Sequence, residues 1–133
     1  MLLDTNALFL PVRTGFPLEA EIDRLVPGAR VLVASSTLRE LDRLVTRATP
    51  DAGAARTLAD RFGSTPAVRE GDAAVLEVAR RESALVVTAD RELQTRLRAG
   101  GITVLAPRDR HRLEMRLGRP RSTRRRARPR GNR

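Results

Sequence analysis

Four acidic residues stand where a short apolar run gives way to a helical pattern, or where a helix begins: Asp4, Glu40, Asp72 and Asp90. If the apolar runs form a parallel sheet, the carboxyl ends of its strands share one edge, and the four carboxylates can converge there. Clustered carboxylates repel one another unless cations neutralise them. An all-oxygen ligand set favours the hard ions Mg²⁺ and Mn²⁺. The pattern therefore indicates a site suited to metal-assisted phosphodiester hydrolysis.

Each acid also has an ordinary structural interpretation. Asp4, Asp72 and Asp90 are placed where N-cap residues occur, and carboxylates are favourable at helix N-termini because of the helix dipole. Thr37 and Glu40 have the spacing of a capping box, in which the glutamate only satisfies a backbone donor. Position alone does not separate the two interpretations.

Composition excludes several other chemistries. The chain has no Cys, and its single His is His111, so thiolate chemistry, Cys-based zinc sites and Ser/His/Asp triads are excluded or disfavoured. Trp and Tyr are absent, which disfavours modules that stack RNA bases on exposed aromatic side chains. The apolar runs are too short to span a membrane, and the start of the chain does not have the pattern of a secretory signal. We expect a soluble cytoplasmic protein without a membrane partner.

Short apolar runs alternate with helical patterns along the chain. The runs predict strands at Met1–Leu3, Arg30–Ala34, Ala84–Thr88 and Ile102–Leu105. Apolar residues at helical spacing predict helices around Ile22, Leu41, Leu58, Val75 and Leu97. This alternation is typical of an α/β layer fold built around a parallel sheet.

The net charge of +10 is confined to the end of the chain. Residues 1–107 carry 14 Arg and 14 acids, whereas residues 108–133 carry 12 Arg and 2 acids. We therefore predict a neutral domain over 1–107 and a basic tail over 108–133 that is disordered when free. A basic tail of this kind suits nucleic acid, and the candidate RNA contacts are Arg124, Arg125, Arg126, Arg128 and Arg130.

Four segments resemble those of PIN-domain nucleases, in the order in which that family carries them. Leu3-Asp4-Thr5-Asn6 resembles the opening motif, and Ser36-Thr37-Leu38-Arg39-Glu40-Leu41 resembles the hydroxyl-rich turn followed by Glu-Leu. Gly71-Asp72 with the helix after it resembles the third acidic segment, and Thr88-Ala89-Asp90 resembles the fourth. The segment from Leu93 to Leu117 is more similar to the archaeal rRNA-processing branch than to the toxin branch.

The resemblance implies a three-layer PIN-like fold with a parallel central sheet of about four to five strands flanked by helices. It also implies that Asp4, Glu40, Asp72 and Asp90 are catalytic and bind Mg²⁺ or Mn²⁺. Asn6 and Thr88 would be polar groups that support the acids or face the phosphate, and Glu92 would be a further acid. Members of the family cleave RNA to leave a 5′ phosphate and a 3′ hydroxyl.

The resulting hypothesis is a metal-dependent endoribonuclease acting on ribosomal or other structured RNA. A toxin ribonuclease of a toxin–antitoxin pair is the alternative within the same class. A non-catalytic RNA-binding or ribosome assembly factor, in which the acids are only caps, is the alternative from another class. A generic α/β ligand-binding domain explains the fold but not the tail. A homodimer and a ribosomal or antitoxin protein partner stay open.

Overall fold

The computed structural model describes residues 1–119, which form six strands and six helices. None of these helices is long and apolar enough to cross a membrane. In chain order the elements are β1 (Leu2–Leu3), α1 (Thr5–Thr14), α2 (Leu18–Leu25), β2 (Leu32–Ala34), α3 (Ser35–Thr46), α4 (Ala52–Ala59), β3 (Gly63–Thr65), α5 (Gly71–Glu82), β4 (Val86–Val87), α6 (Arg91–Ala99), β5 (Val104–Pro107) and β6 (Leu113–Arg116).

The strands form one sheet in the order β3-β2-β1-β4-β5-β6. The first five strands are parallel, and β6 alone is antiparallel, pairing with β5 so that Leu105 lies opposite Met115. The predicted α/β class with a parallel central sheet is confirmed. Because β1 lies in the middle of the sheet, the residue that follows it, Asp4, is placed at the centre of the carboxyl edge.

Helices cover both faces of the sheet and give the fold three layers. On one face Leu8, Ile22 and Ala55, from α1, α2 and α4, pack in a core with Leu3 and Val33 of the strands. On the other face α5 and α6 pack on the strand residues that point the opposite way. Alternation of side chains along each strand explains this division, since neighbouring residues face opposite sides of a sheet.

Helix α1 is an element that the sequence pattern does not predict. It contains Pro11, a residue that usually ends a helix because it lacks a backbone N–H. Its residues Ala7, Leu8 and Phe9 are all buried, so the apolar positions show a continuous run and no period of 3.6. The helix ends at Gly15, whose φ of 70° lies in the left-handed region that favours glycine.

The folded part of the chain extends beyond residue 107, where the sequence analysis places the end of the domain. Strand β6 lies inside the segment 108–133 that charge counting assigns to a basic tail, and Leu113 of this strand is fully buried. The Leu113 backbone N–H donates to Glu21 Oε1 at 2.9 Å, and its carbonyl accepts from the Arg24 guanidinium at 3.0 Å. The prediction that the tail begins at Arg108 is wrong for residues 108–119, because these contacts fix them to the domain.

The remainder of the predicted tail, including Arg124, Arg125, Arg126, Arg128 and Arg130, lies outside the described residues. Strand β3 is the other strand that the pattern does not predict. Its sequence is Gly-Ser-Thr, which has neither the β-branched nor the apolar character of a typical strand, and it forms the edge of the sheet beside β2.

Candidate functional site

All four predicted acids line one cavity of about 410 Å³ at the carboxyl edge of the sheet. Asp4 directly follows β1 and Asp90 lies three residues after the end of β4, whereas Glu40 and Asp72 reach the cavity from α3 and α5. Each of the four residues is half-buried, so its carboxylate is shielded from bulk water but still open to a ligand. Other polar residues on the cavity wall are Thr5, Asn6, Arg13, Ser36, Thr37 and Thr49.

Asp4 is the most constrained of the four carboxylates. It caps α1 by accepting from the Thr5 backbone N–H at 2.8 Å, and its other oxygen accepts from the Thr88 hydroxyl at 2.8 Å. Burial raises the pKa of the Asp4 carboxyl above its usual range, and the nearby charges of Asp72 and Glu40 raise it further. The two hydrogen bonds oppose this rise. The carboxylates therefore repel one another across the cavity, as expected of a site that holds a cation.

Glu40 does not form the capping box that its spacing with Thr37 suggests. Helix α3 begins at Ser35 with Ala34 as its N-cap, so Thr37 is already inside the helix and Glu40 is one turn further along than predicted. The Glu40 carboxylate instead accepts from the Thr5 hydroxyl at 2.7 Å. This bond links α3 to α1 across the cavity, which a local helix cap would not do.

The other two acids differ in how they are held. Asp90 is the N-cap of α6, because its side chain accepts from the Leu93 backbone N–H at 3.1 Å. Asp72 lies in the first turn of α5, but the N-cap is the residue two before it, so the capping interpretation of Asp72 is wrong. The Asp72 carboxylate lies 3.3 Å from the Arg96 guanidinium. Capping thus accounts for the positions of Asp4 and Asp90 and for neither of the other acids.

Asn6 and Thr88 hold the strand ends together behind the acids. Asn6 Oδ1 accepts from the Ala89 backbone N–H at 2.8 Å and lies 3.2 Å from the Thr88 hydroxyl. Thr88 is fully buried and is not part of the cavity wall, and its hydroxyl donates to Asp4. Glu92 is exposed and also lies away from the cavity wall.

Arg13 is a cavity residue that the sequence reasoning missed. Its guanidinium lies 4.1 Å from the centroid of the Phe9 ring, and its Nε is 3.6 Å from an Asp51 carboxylate oxygen. A third contact, at 3.3 Å, goes to the carbonyl of Pro50. Phe9 and Arg13 are four residues apart, which brings their side chains together on a helix. That spacing was the available signal, but α1 itself was not predicted.

The donor set fits a hard divalent cation in its chemistry. Carboxylate oxygens with hydroxyl and amide oxygens around them are the ligands that Mg²⁺ and Mn²⁺ prefer. Burial is the main cause of the raised pKa of Asp4, and the charges of Asp72 and Glu40 add to it, so a nearby positive charge would favour the ionised form. Within residues 1–119, no three acidic side chains stand close enough together to hold an ion in the arrangement described. Binding of an ion would therefore require these side chains to move closer together, and Asp72 is paired with Arg96 in the structure.

The raised pKa of Asp4 leads to a prediction about stability and pH. Its pKa in the folded state lies above the unfolded value of 3.8, so folding favours the protonated form. This contribution is present in full below the unfolded pKa and is lost as pH rises through the folded pKa. In EDTA, Asp4→Asn should therefore gain stability relative to the unmodified protein as pH increases from about 4 to neutrality.

Urea unfolding of both proteins across this pH range measures the effect as a difference. The hydrogen bonds from Arg24 and Leu113 lower the pKa of Glu21 to about 2. Because Glu21 is present in both proteins, its contribution to the pH dependence cancels in the stability difference. Its contribution is present above its unfolded value of 4.5 and is lost as pH falls towards 2. A stability difference that does not change with pH would contradict the electrostatic environment described for Asp4.

Comparison with known proteins gives a family-model match and matches to solved structures. The family model described as PIN-like domain matches residues 1–110. A solved structure of the PIN domain endonuclease Utp24 has the same fold, with a TM-score of 0.72 and 22% sequence identity. That likeness covers 87% of this chain and 91% of the other. The sequence matches no curated protein.

Proposed function

The chain belongs to the PIN-like domain family, and on that basis we propose that it is an endoribonuclease that uses Mg²⁺ or Mn²⁺. Its substrates in this proposal are ribosomal or other structured RNAs. The observation that carries the proposal is the single cavity that Asp4, Glu40, Asp72 and Asp90 line from different elements. Helix capping does not explain this convergence, since two of the four acids are not caps.

The reaction is hydrolysis of a phosphodiester. A water oxygen attacks phosphorus and the bond from phosphorus to the 3′ oxygen breaks, so that the products carry a 5′ phosphate and a protonated 3′ hydroxyl. Asp4, Glu40, Asp72 and Asp90 would hold the cation. When bound, a divalent cation lowers the pKa of water and stabilises the negative charge that develops on the phosphate oxygens.

The chain's own residues supply orientation around this centre. The Thr88 hydroxyl fixes one oxygen of Asp4, and the Thr5 hydroxyl fixes the Glu40 carboxylate. On the cavity wall, Arg13 offers a guanidinium whose position is set by Phe9 and Asp51, and a guanidinium can bind two phosphate oxygens at once. In this proposal Arg13 binds the phosphate and the acids bind the cation.

The experiment that tests the proposal is an RNA cleavage assay. Purified protein is incubated with labelled ribosomal RNA fragments and Mn²⁺ or Mg²⁺, with and without excess EDTA. We expect cleavage with the metal and none with EDTA. Equal cleavage in EDTA would remove the metal from the mechanism. Binding of these RNAs without cleavage under any metal condition would favour the non-catalytic RNA-binding alternative.

A divalent cation should also stabilise the folded protein. An ion that binds the folded state and not the unfolded chain raises the melting temperature by mass action. We expect millimolar Mn²⁺ to raise the melting temperature of the unmodified protein and to have little effect on the double variant Asp4→Asn/Asp90→Asn. Calorimetry or thermal circular dichroism measures both shifts. Equal shifts in the two proteins would show that the ion acts elsewhere.

The Arg-rich segment beyond the described residues leads to a prediction about RNA affinity. Residues 120–133 contain seven Arg and no acid. Guanidinium groups that pair with phosphates release counterions, which makes affinity dependent on salt. Deleting residues 120–133 should weaken RNA binding and flatten its salt dependence, by a log–log slope of about 0.7 for each single-strand phosphate that the segment neutralises. Cleavage at saturating RNA should change little.

A chain in which residues 120–133 are replaced by an uncharged Gly/Ser segment of equal length is the matched control. It should behave like the deletion, because the effect is assigned to charge and not to length. Fluorescence anisotropy with a labelled RNA at several salt concentrations gives both the affinity and the slope. An unchanged affinity and slope in the truncated protein would remove this segment from RNA binding.

A further inference from the structure

A second groove, of about 320 Å³, lies beside the acidic cavity along α5 and α6. We call it the arginine groove, and it is lined by Arg69, Ala73, Leu76, Glu77, Arg80 and Arg96. The three arginines are exposed, while Ala73 and Leu76 are partly buried and give the groove an apolar floor. No role in the reaction described above uses this surface.

The arginine groove and the acidic cavity are adjacent, because an ion pair joins their walls. Arg96 lines the groove, and its guanidinium lies 3.3 Å from the carboxylate of Asp72, which lines the cavity. The residue after Asp72 in α5 is Ala73, which is part of the groove floor. From Asp72 to Arg80 the helix rises roughly 12 Å, at about 1.5 Å per residue. The groove therefore leads away from the cavity along two turns of α5.

The positive charge of this groove is available to a ligand. Arg69 and Arg80 form no salt bridge with any residue among 1–119. The carboxylate of Glu77 has other partners: it accepts from the backbone N–H groups of Val68 at 3.2 Å and Arg69 at 3.0 Å, and it lies 3.6 Å from the Arg81 guanidinium. Glu77 therefore does not neutralise the two arginines by pairing with them.

The far end of the groove lies near the end of the described chain. The Arg80 guanidinium is placed beside Gly100, at the C-terminal end of α6. Gly118 packs against the backbone of Gly101, and the Arg119 backbone N–H donates to the Arg98 carbonyl at 2.8 Å. Arginine side chains are thus found from the edge of the cavity to the last of the described residues.

Given the proposed function, we propose that an RNA strand cleaved in the acidic cavity continues along the arginine groove, where Arg69 and Arg80 bind its phosphates. RNA suits this surface because the groove lies next to the cavity and combines guanidinium groups with an apolar floor. Guanidinium groups bind phosphates in a bidentate manner, and the apolar floor can contact the sugars or bases. Arg96 lies between the two sites and contacts Asp72, so it is left unchanged in the test.

The test is the double variant Arg69→Gln/Arg80→Gln in the full chain. Its affinity for a single-stranded oligouridylate is measured in EDTA over a range of salt concentrations, so that binding is separated from cleavage. Removing two arginine–phosphate pairs should lower the log–log salt slope by about 1.4 and weaken binding on the order of tenfold at low salt. The melting temperature should be unchanged, since both side chains are exposed.

Arg30→Gln/Arg61→Gln is the matched control. It removes the same formal charge from two exposed arginines that line neither the cavity nor the groove; Arg61, unlike Arg69 and Arg80, is paired with Glu19 at 3.0 Å. We expect its salt slope and affinity to stay close to those of the unmodified protein. An unchanged slope in the groove variant, or an equal reduction in the control, overturns the proposal.

Crosslinking tests the same proposal without removing charge. Because the chain has no cysteine, Ala73→Cys in the groove carries a unique thiol for a photoreactive group, and Ala20→Cys on α2, on the other face of the sheet, is its control. RNA should crosslink to position 73 and not to position 20, and equal labelling overturns the proposal. If the unmodified protein cleaves RNA but both tests fail, the groove assignment is wrong and the nuclease proposal stands. If it binds through the groove without cleaving, the nuclease proposal is wrong.

Discussion

Asp4→Asn is expected to reduce RNA cleavage by roughly 100- to 1000-fold, while the protein stays folded. A loss of about 3–4 kcal/mol of transition-state stabilisation corresponds to such a factor. The reason is that Asp4 lies at the centre of the carboxyl edge, in the cavity that it shares with the other acids. An amide oxygen can still accept from the Thr5 N–H, so the helix cap is retained. Initial cleavage rates with Mn²⁺ measure the effect.

Glu40→Gln, Asp72→Asn and Asp90→Asn should show losses of the same kind. Asp23→Asn is the matched control, because Asp23 is exposed and does not line the acidic cavity. It loses the same charge and should cleave RNA like the unmodified protein. Full cleavage by Asp4→Asn or Asp90→Asn would show that the catalytic assignment is wrong. A marked loss of stability in all four variants would instead favour a purely structural role.

A chain that ends at residue 107 is expected to be far less stable than one that ends at residue 119. The shorter chain loses β6 and with it the burial of Leu113, a side chain whose removal from a core costs about 2–5 kcal/mol. It also leaves Glu21 and Arg24 without their backbone partners on that strand. Since a domain of this size is stable by about 5–15 kcal/mol in all, much of its stability would be lost.

The removal of β6 should also disturb the acidic cavity, because a series of hydrogen bonds connects this strand to Asp4. Arg116 of β6 donates to the Gln94 side chain at 2.7 Å, and Gln94 donates to the carbonyl of Thr88 at 3.1 Å. Thr88 in turn holds Asp4. Urea unfolding of chains 1–107, 1–119 and 1–133 measures the stability, with 1–119 expected to match the full chain. Cooperative unfolding of 1–107 at the same urea concentration as 1–119 would contradict the role given to β6.

Periodicity predicts the elements whose apolar residues recur regularly, and it misses those stabilised by tertiary contacts. The strands that contain Val33, Val87 and Leu105 are buried apolar runs, so the α/β class follows from the sequence alone. Strand β6 alternates apolar and charged residues, which is a strand pattern. Counting charges assigns it to the basic tail, because it lies among many arginines. Its position depends on Glu21, ninety-two residues away, and no local pattern carries that information.

The candidate site also has features that the sequence predicts and features that depend on tertiary contacts. The four acidic segments predict the PIN family, which is confirmed, and their acids meet in one cavity. Their catalytic role stays a prediction. The hydrogen bond from Thr5 to Glu40 and the contact of Arg13 with Asp51 join residues of separate elements, so spacing could not indicate them. The pairing of Asp72 with Arg96 likewise depends on how α5 and α6 pack.

The chemical ends of the RNA products test the central claim most directly. The unmodified protein and Asp4→Asn are incubated side by side with an RNA labelled at either end in the presence of Mn²⁺, and the products are separated and their termini identified. We expect 5′ phosphate and 3′ hydroxyl ends from the unmodified protein, no such products in EDTA, and almost none from Asp4→Asn. Products ending in a 2′,3′-cyclic phosphate, or equal cleavage by Asp4→Asn, would contradict hydrolysis at the carboxylate cavity.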